Sequence, residues 1–586
     1  MRNGKLKSHK IKIGLSMEGW RIYFLALLVF LSAAVIFFRL YSLQVTAHDA
    51  YRSIAQNQHY IFQELNPERG EIFLKDGNGT YPLAINREFK MAYAVPKEIK
   101  NREEAVIRIS SILELDENLV IEKLADSEDM FEVLKHKLTD EEISKIKKLE
   151  ISGVRLMPES FRYYPAGELA AQTVGFVGSD EKEYKGRYGL EAYWEEDLRG
   201  TPGDLSQERD AGGRWISIAD REFNPAQNGI DLVLTIDRVV QYEIEKILKE
   251  TVEKHGADSG TILAMEARTG KILAMVNHPS FNPSEYSKCE DMSLFMNPSV
   301  SEAYECGSVF KAITMAIGVD DGKVEPDSVY YDSGSVREAG YTIKNSDEKT
   351  YGEQTMTQVL EESLNTGAIY VEKQVGNKKF ADYTKRFGFG EKTGIELPGE
   401  SRGNINNLKA LKRDIQFFTA AFGQGITVTP LQLINSYSVI ANGGKLMKPQ
   451  LIEKKIYPGG KIEKIEPQEI RRVIKKETAE KLSQMLRSVV ENGHGKRAAV
   501  PGYLVGGKTG TAQVAKSGEK GYEEGIAIGS FAGFAPIEDA QFTVLVKIYN
   551  PKDVQWAEST AAPAFSRVMK FLLEYYKVSP TEEYEL

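Results

Sequence analysis

Apolar positions in the first forty residues form an unbroken run rather than a period. Ile22 to Phe38 is seventeen uncharged, mostly apolar residues. A helix of that length rises about 26 Å, close to a hydrocarbon core of about 30 Å. Trp20 and Tyr41 stand where interfacial aromatics belong, and Arg21 and Arg39 can snorkel outward. Arg2, Lys5, Lys7, Lys10 and Lys12 precede the run against one acid, Glu18, which predicts a cytoplasmic N-terminus. A cleaved signal peptide competes with this reading. Its apolar region is shorter, about 7–15 residues, and ends in small residues. Arg39-Leu-Tyr-Ser-Leu-Gln offers no such site, so an uncleaved anchor is expected, with residues 1–19 as a cytoplasmic tail and 20–43 as the membrane helix. No second run of this length follows.

Beyond residue 44 the pattern changes to short strands. Gly70-Glu-Ile-Phe-Leu-Lys-Asp-Gly-Asn-Gly predicts a strand entering an Asp-Gly/Asn-Gly turn. Residues 100–150 carry Glu, Lys, Leu and Ile at helical spacing, as in Glu141 to Glu150, and predict a charged, solvated helical pair. Phe223-Asn-Pro-Ala-Gln-Asn-Gly is rich in turn formers and predicts a linker, dividing a region 44–225 from a region 226–586. After it, Leu232-Val-Leu-Thr-Ile alternates like a strand, and a Glu/Lys-rich helix covers 238–254. A hairpin then turns at Ala267-Arg-Thr-Gly270, a long helical stretch follows, and the strand Phe542-Thr-Val-Leu-Val-Lys-Ile precedes a last helix near 562–577. This order predicts an α+β domain with one antiparallel sheet flanked by helices.

Composition removes several classes. Of 586 residues, 42% are apolar and 27% charged, so the chain is globular. The net charge of −9 leaves no basic surplus for nucleic acid. Cys289 and Cys306 make no disulfide framework, and no histidine pair has zinc-ligand spacing, so no metal is expected.

Ser308-Val-Phe-Lys311 puts a hydroxyl and an amine three residues apart, on one helix face. A serine needs a base to become a nucleophile, and a lysine serves when burial or positive neighbours lower its pKa from about 10.4. The spacing alone is common. Ser144, Ser179, Ser346 and Ser517 each precede a lysine by three, but among charges that predict solvated surface. Only Ser308 has apolar intervening residues and an apolar continuation. Fifty-five residues on, Ser363-Leu-Asn365 supplies a second hydroxyl and an amide, or else a helix-end cap. Lys508-Thr509-Gly510-Thr511 follows Val505-Gly-Gly. As an edge strand it offers a cation, two hydroxyls and open backbone N–H groups for a carboxylate and an oxyanion. Lys392-Thr-Gly394 is a decoy that leads into a turn. Gly502 to Thr509 also matches G-x-x-x-x-G-K-T, the phosphate loop, but Pro501 interrupts the strand that loop requires, and no helix is expected after Thr509.

Ser-x-x-Lys, Ser-x-Asn and Lys-Thr-Gly together are the set of penicillin-binding proteins and class A β-lactamases. Their order and spacing here resemble the class B, monofunctional penicillin-binding proteins. Arg69-Gly-Glu-Ile, Gly189-Leu-Glu and Leu198-Arg-Gly resemble that family's pedestal. Leu234-Thr-Ile-Asp, Thr269-Gly-Lys-Ile-Leu-Ala-Met, Phe422-Gly-Gln-Gly-Ile-Thr-Val-Thr-Pro and Ala441-Asn-Gly-Gly resemble its transpeptidase domain. One departure is Cys306-Gly307 where the family has Pro-Gly. Cys306 is read as a small buried apolar residue or a partner of Cys289, not as a substitute nucleophile.

The resemblance implies a transmembrane helix, an elongated pedestal or dimerisation domain over 44–225, and a serine β-lactamase/transpeptidase-like domain over 226–586. It implies a peptidoglycan D,D-transpeptidase, with a β-lactamase-type hydrolase or a penicillin sensor as alternatives. In it Ser308 attacks a stem-peptide carbonyl, Lys311 is the base, Ser363 relays the proton and Asn365 holds the substrate amide. Lys508, Thr509, Gly510 and Thr511 bind the terminal carboxylate, and the N–H groups of Ser308 and Thr511 form the oxyanion hole. No cofactor is implied. The implied partners are stem peptides, β-lactams, the membrane, a lipid-linked glycan polymerase and division or elongation proteins. Ala55-Gln-Asn-Gln before Arg69-Gly resembles the division branch, with elongation and sporulation left open.

Overall fold

The computed structural model describes residues 19–48, 60–149, 151–180, 183–208, 221–516 and 521–581. The basic tail and Ala55-Gln-Asn-Gln lie outside them. By internal contacts the chain forms two units: Met1–Pro67 with Thr201–Gln227, and Glu68–Gly200 with Asn228–Leu586.

In the first unit the apolar run is a helix, Gly19–Tyr41, passing into a π turn at Ser42–Thr46. Among the described residues it is the one helix long and apolar enough to cross a membrane. Its side chains are exposed, so its apolar surface has no partner among the described residues. The unit also holds a three-stranded antiparallel sheet in the order Tyr60–Leu65, Gly203–Glu208, Arg221–Asn224. The segment expected as a linker thus begins as a paired strand. Its turn formers act only after Asn224.

The second unit begins with the strand Ile72–Asp76, which turns at Gly77 into the long strand Gly79–Ala94. The helical insert departs from the expected solvated pair. It has three helices, Arg102–Leu113, Glu117–Lys123 and Asp140–Leu149, and a strand, Glu132–Lys135. Ile109, Leu113, Val120, Leu134 and Ile146 close a small apolar core of their own. Charged residues dominate its composition because the outer faces are solvated, while every third or fourth residue turns inward.

Asp231–Asp237 does not join the catalytic sheet. It runs parallel to Ile72–Asp76 and antiparallel to Ile452–Ile456. Leu232, Val233, Leu234, Thr235 and Ile236 are all buried, as expected for a strand covered on both faces. Beside it the pedestal segment buries a charge cluster. Arg162 Nε meets Glu191 Oε1 at 2.6 Å, while Arg69 Nη2 meets Glu191 Oε2 and Glu195 Oε2, both at 2.7 Å. Burial pushes the Glu191 carboxyl up, but Arg162 and Arg69 outweigh it and hold the group below the usual carboxylate range. Two of the resembling pedestal motifs, Arg69-Gly-Glu-Ile and Gly189-Leu-Glu, thus meet in one ion cluster.

The catalytic sheet has five antiparallel strands in the order Ile272–His278, Ser259–Glu266, Phe542–Tyr549, Tyr522–Ala535, Gly506–Ala515. Alternate residues point to opposite faces. Ile262 and Ala264 pack with the helices Arg238–His255 and Ala561–Tyr575, whereas Leu263 and Met265 join the core containing Lys311–Asp320, Pro430–Ala441 and Lys476–Glu491. Asp237 caps the first of these helices by accepting from Val239 and Val240 N–H. The strand with Lys508-Thr-Gly-Thr511 is the open edge.

Candidate active site

Ser308 is half-buried in a 3-10 turn, Gly307–Phe310, that feeds the fully buried helix Lys311–Asp320. In such a turn positions three apart eclipse, so Ser308 and Lys311 share a side. Neighbouring elements hold the turn. Gly307 N–H donates to Gly423 O at 3.1 Å, and buried Tyr437 donates its hydroxyl to Val309 O at 2.8 Å. The edge strand lies directly against it. A Cβ on Gly510 would come within 2.5 Å of Val309 Cγ2 and 2.8 Å of Cys306 O, so only glycine allows this approach. The Phe422-Gly-Gln-Gly stretch works the same way, since a Cβ on Gly423 would sit 2.2 Å from Gly307 O.

Lys311 is 1% exposed. Its ammonium donates to the Ser363 carbonyl and, at 3.3 Å, to Ser363 Oγ. Ser363 has φ +56°, a left-handed conformation uncommon for serine, and the turn it makes aims that carbonyl at the lysine. Among the described residues no hydrogen bond joins Ser308 Oγ to Lys311 Nζ. Asn365 opens the helix Asn365–Val375 and is not its cap; its Nδ2 donates to Lys344 O at 2.8 Å.

Lys508 is 0% exposed and Thr509 8%. Lys508 Nζ donates to Thr509 O at 3.2 Å and Thr509 Oγ1 at 3.4 Å, and meets no carboxylate. Burial lowers its pKa to about 7. Burial, together with the charge of Lys508, drives Lys311 well below the ordinary lysine value. Both effects favour the neutral amine. Thr511 is half-buried, and its Oγ1 accepts from Ala557 N–H at 3.2 Å. One cleft therefore gathers Lys311, Ser363, Lys508 and Thr509 with the turn bearing Ser308, though 200 residues separate its ends.

The decoys part from this geometry. Ser144 and Ser346 are exposed, the Ser179 side chain and Ser517 lie outside the described residues, and Thr393 is tied to Glu400 in a turn. Lys508-Thr509 sits mid-strand with no helix after it, unlike a phosphate loop. Cys306 is buried and unpaired, as is the half-buried Cys289 free, and burial pushes the Cys306 thiol up, away from the thiolate a nucleophile needs.

Sequence reasoning did not single out Glu305. It accepts from Gly425 N–H at 3.0 Å and from the Tyr522 hydroxyl at 3.2 Å, joining the Ser308 turn to the Gly423–Gly425 loop and to the strand Tyr522–Ala535. Nor did it single out Asn345, which accepts from Asn365 N–H, and Asp332, which accepts from Asn345 and from the Thr366 hydroxyl. Neither belongs to a local pattern; both are defined by partners distant in the chain.

The penicillin-binding protein transpeptidase domain family matches residues 260–570, and the penicillin-binding protein dimerisation domain family matches 64–234. The stage V sporulation protein D of Bacillus subtilis is 33% identical over 566 residues, covering 96% of this chain and 86% of that protein. The peptidoglycan D,D-transpeptidase FtsI of Escherichia coli is 30% identical over 569 residues, covering 96% and 92%. Among solved structures, penicillin-binding protein 3 of Mycobacterium tuberculosis, complexed with aztreonam, superposes with a TM-score of 0.68 at 26% identity, over 89% of this chain and 98% of that one. The chain belongs to the class B penicillin-binding proteins.

Proposed function

We propose that this protein is a membrane-anchored peptidoglycan D,D-transpeptidase that works through an acyl-enzyme on Ser308. The observation that carries the reading is Lys311: buried, held by Ser363, without a carboxylate partner, and one turn from the serine. In the reaction Ser308 Oγ forms a bond to the carbonyl carbon of the penultimate D-alanine, and Lys311 takes its proton. The bond to the terminal D-alanine nitrogen breaks, and Ser363 passes a proton to that leaving amine. An amine from a neighbouring stem then takes the acyl group and frees the serine. Asn365 holds the substrate amide, Lys508, Thr509 and Thr511 hold the terminal carboxylate, and the N–H groups of Ser308 and Thr511 face the oxyanion. A β-lactam acylates the same serine.

The buried Lys508 refines this scheme. With a pKa of about 7 it is only partly charged near neutrality, and an arriving carboxylate would favour its ammonium form. Ser308→Ala is expected to abolish covalent labelling by a fluorescent penicillin while the protein stays folded. Labelling that survives would move the nucleophile elsewhere.

Residues 44–225 serve as the pedestal and 226–586 as the catalytic domain. The apolar helix anchors the chain with its basic end in the cytoplasm and the catalytic domain outside, alongside a lipid-linked glycan polymerase. External protease on spheroplasts is expected to digest the large domains; their full protection would reverse the orientation. A role in septal wall synthesis is supported by the likeness to FtsI-named relatives, and imaging a tagged copy at the septum or elsewhere decides it.

A further inference from the structure

The first N–H groups of a helix have no intrahelical partner, and a short polar side chain just before the first turn ordinarily accepts from them. The helix Asn365–Val375 follows Leu364, whose side chain has no acceptor. The acceptor comes from twenty residues upstream. Asn345 Oδ1 takes the N–H of Asn365 at 3.0 Å and of Thr366 at 3.3 Å. On its other side, Asn345 Nδ2 donates to both oxygens of Asp332, at 3.2 and 3.0 Å, and to Lys349 O at 3.2 Å. The amide can face only this way, because backbone N–H groups only donate and a carboxylate only accepts.

Asp332 is 0% exposed and Asn345 3%. Asp332 also accepts from Gly334 N–H at 3.1 Å, Tyr351 N–H at 2.9 Å and the Thr366 hydroxyl at 2.6 Å. Its charge is met by aligned donors rather than by a cation. Next to Asn345, Lys344 O accepts from Asn365 Nδ2. One short segment thus grips both the backbone and the side chain of Asn365. Two residues before it stands Ser363, in its left-handed conformation, with its carbonyl on Lys311.

We infer that Asn345, oriented by Asp332, is a positioning residue for the reaction: it sets where Ser363 and Asn365 stand against Lys311 and thereby governs how fast Ser308 is acylated. The inference rests on the transpeptidase reading above. Asn345 acts through Asn365 and Ser363.

Asn345→Asp gives a test that a merely structural role would not pass. The new carboxylate still accepts from the helix N–H groups but stands within about 3 Å of Asp332, and two such carboxylates share one proton. The ionisable groups facing the pair are the phenols of Tyr330 and Tyr351, both pushed up by burial, and Asp347 and Glu362 around Tyr351. Lys344 and Lys349 bring only carbonyls to it. No nearby cation therefore relieves the repulsion. The second-order acylation rate with fluorescent penicillin is measured from pH 5 to 9 on the full chain in detergent, for wild type, Asn345→Asp and Asn345→Ala, beside each melting temperature. The ratio of Asn345→Asp to wild type is expected to fall at least tenfold as pH rises and the shared proton is lost. Asn345→Ala is expected to be at least tenfold slow at every pH. If Asn345→Ala does not fold, the pH ratio of the near-isosteric Asn345→Asp decides alone. A flat ratio, with only the melting temperature changed, overturns the inference. Penicillin labelling that survives Ser308→Ala, by contrast, overturns the transpeptidase reading itself.

Discussion

Two buried clusters of charge in the second unit are treated in opposite ways. In the pedestal segment Arg162 and Glu191 have side chains 1% and 0% exposed, and every charge there faces an opposite one. In the cleft Lys311 and Lys508 are as deeply buried, yet neither meets a carboxylate. Desolvating an ion costs several kcal/mol, which a well-aligned counter-charge offsets and neutral oxygens offset less. The pedestal cluster holds the Glu191 carboxyl below the usual carboxylate range and ties Arg69 to Glu191, 122 residues apart. The cleft pushes its lysines toward the neutral amine, the form a general base needs.

The sharpest break of this contrast is Lys311→Arg. Arginine keeps the charge but cannot accept a proton near neutral pH. Acylation by penicillin is expected to fall about 10²–10⁴-fold or more, whereas Lys508→Arg should retain measurable acylation at high penicillin concentration. The measurement is the second-order acylation rate of each purified variant. The opposite pattern would hand the base role to Lys508. Next in size is Glu191→Ala, which strands Arg162 and Arg69 without their shared acid. It is expected to cost about 3–5 kcal/mol, read by thermal unfolding, while the folded fraction still acylates near the wild-type rate. A matching loss of rate would mean the pedestal cluster tunes the cleft directly.

The smallest effect sharpens the cost of isolation. Lys508 has a folded pKa near 7 and an unfolded one near 10.5. Below pH 7 both states are protonated and the burial penalty is present in full. Between about 7 and 10.5 the unfolded chain binds the extra proton, so stability rises with pH until the penalty is gone. Lys508→Met is therefore expected to stabilise the fold at pH 6, by less than the full burial penalty because the bonds to Thr509 are lost, with the gain fading toward pH 10. A gain independent of pH would assign the effect to packing instead of charge.

Much of the cleft's chemistry was legible in one dimension because it is locally encoded. Ser308 and Lys311 share a turn whatever surrounds it, and the apolar continuation Ala312-Ile-Thr-Met-Ala-Ile separated that pair from its charged decoys. The apolar run and four of the five strands of the sheet were legible for the same reason, length and period being properties of neighbours along the chain; the strand Tyr522–Ala535 was not read. Where the reading fell short, the deciding partner was remote. The charges of residues 100–150 spoke for the solvated faces and hid the inward residues that close a small core. Asp231–Asp237 has a strand's composition, but nothing in it says that it pairs with Ile72–Asp76. Asn365 invited a reading as a helix cap, whereas the cap is Asn345.

By itself, then, the sequence determined which residue types stand one turn or one pleat apart: the serine with its lysine, the threonines of the edge strand, the apolar helix with its basic flank. Only the tertiary structure decided that Lys311 rests on Ser363, that Lys508 is sealed from water with Thr509 oxygens as its partners, and that Asn345, held by Asp332, holds Asn365. The physical reason is that burial and hydrogen-bond satisfaction are set by whatever segment packs alongside. Those segments lie tens to hundreds of residues away, where no local period or spacing records them.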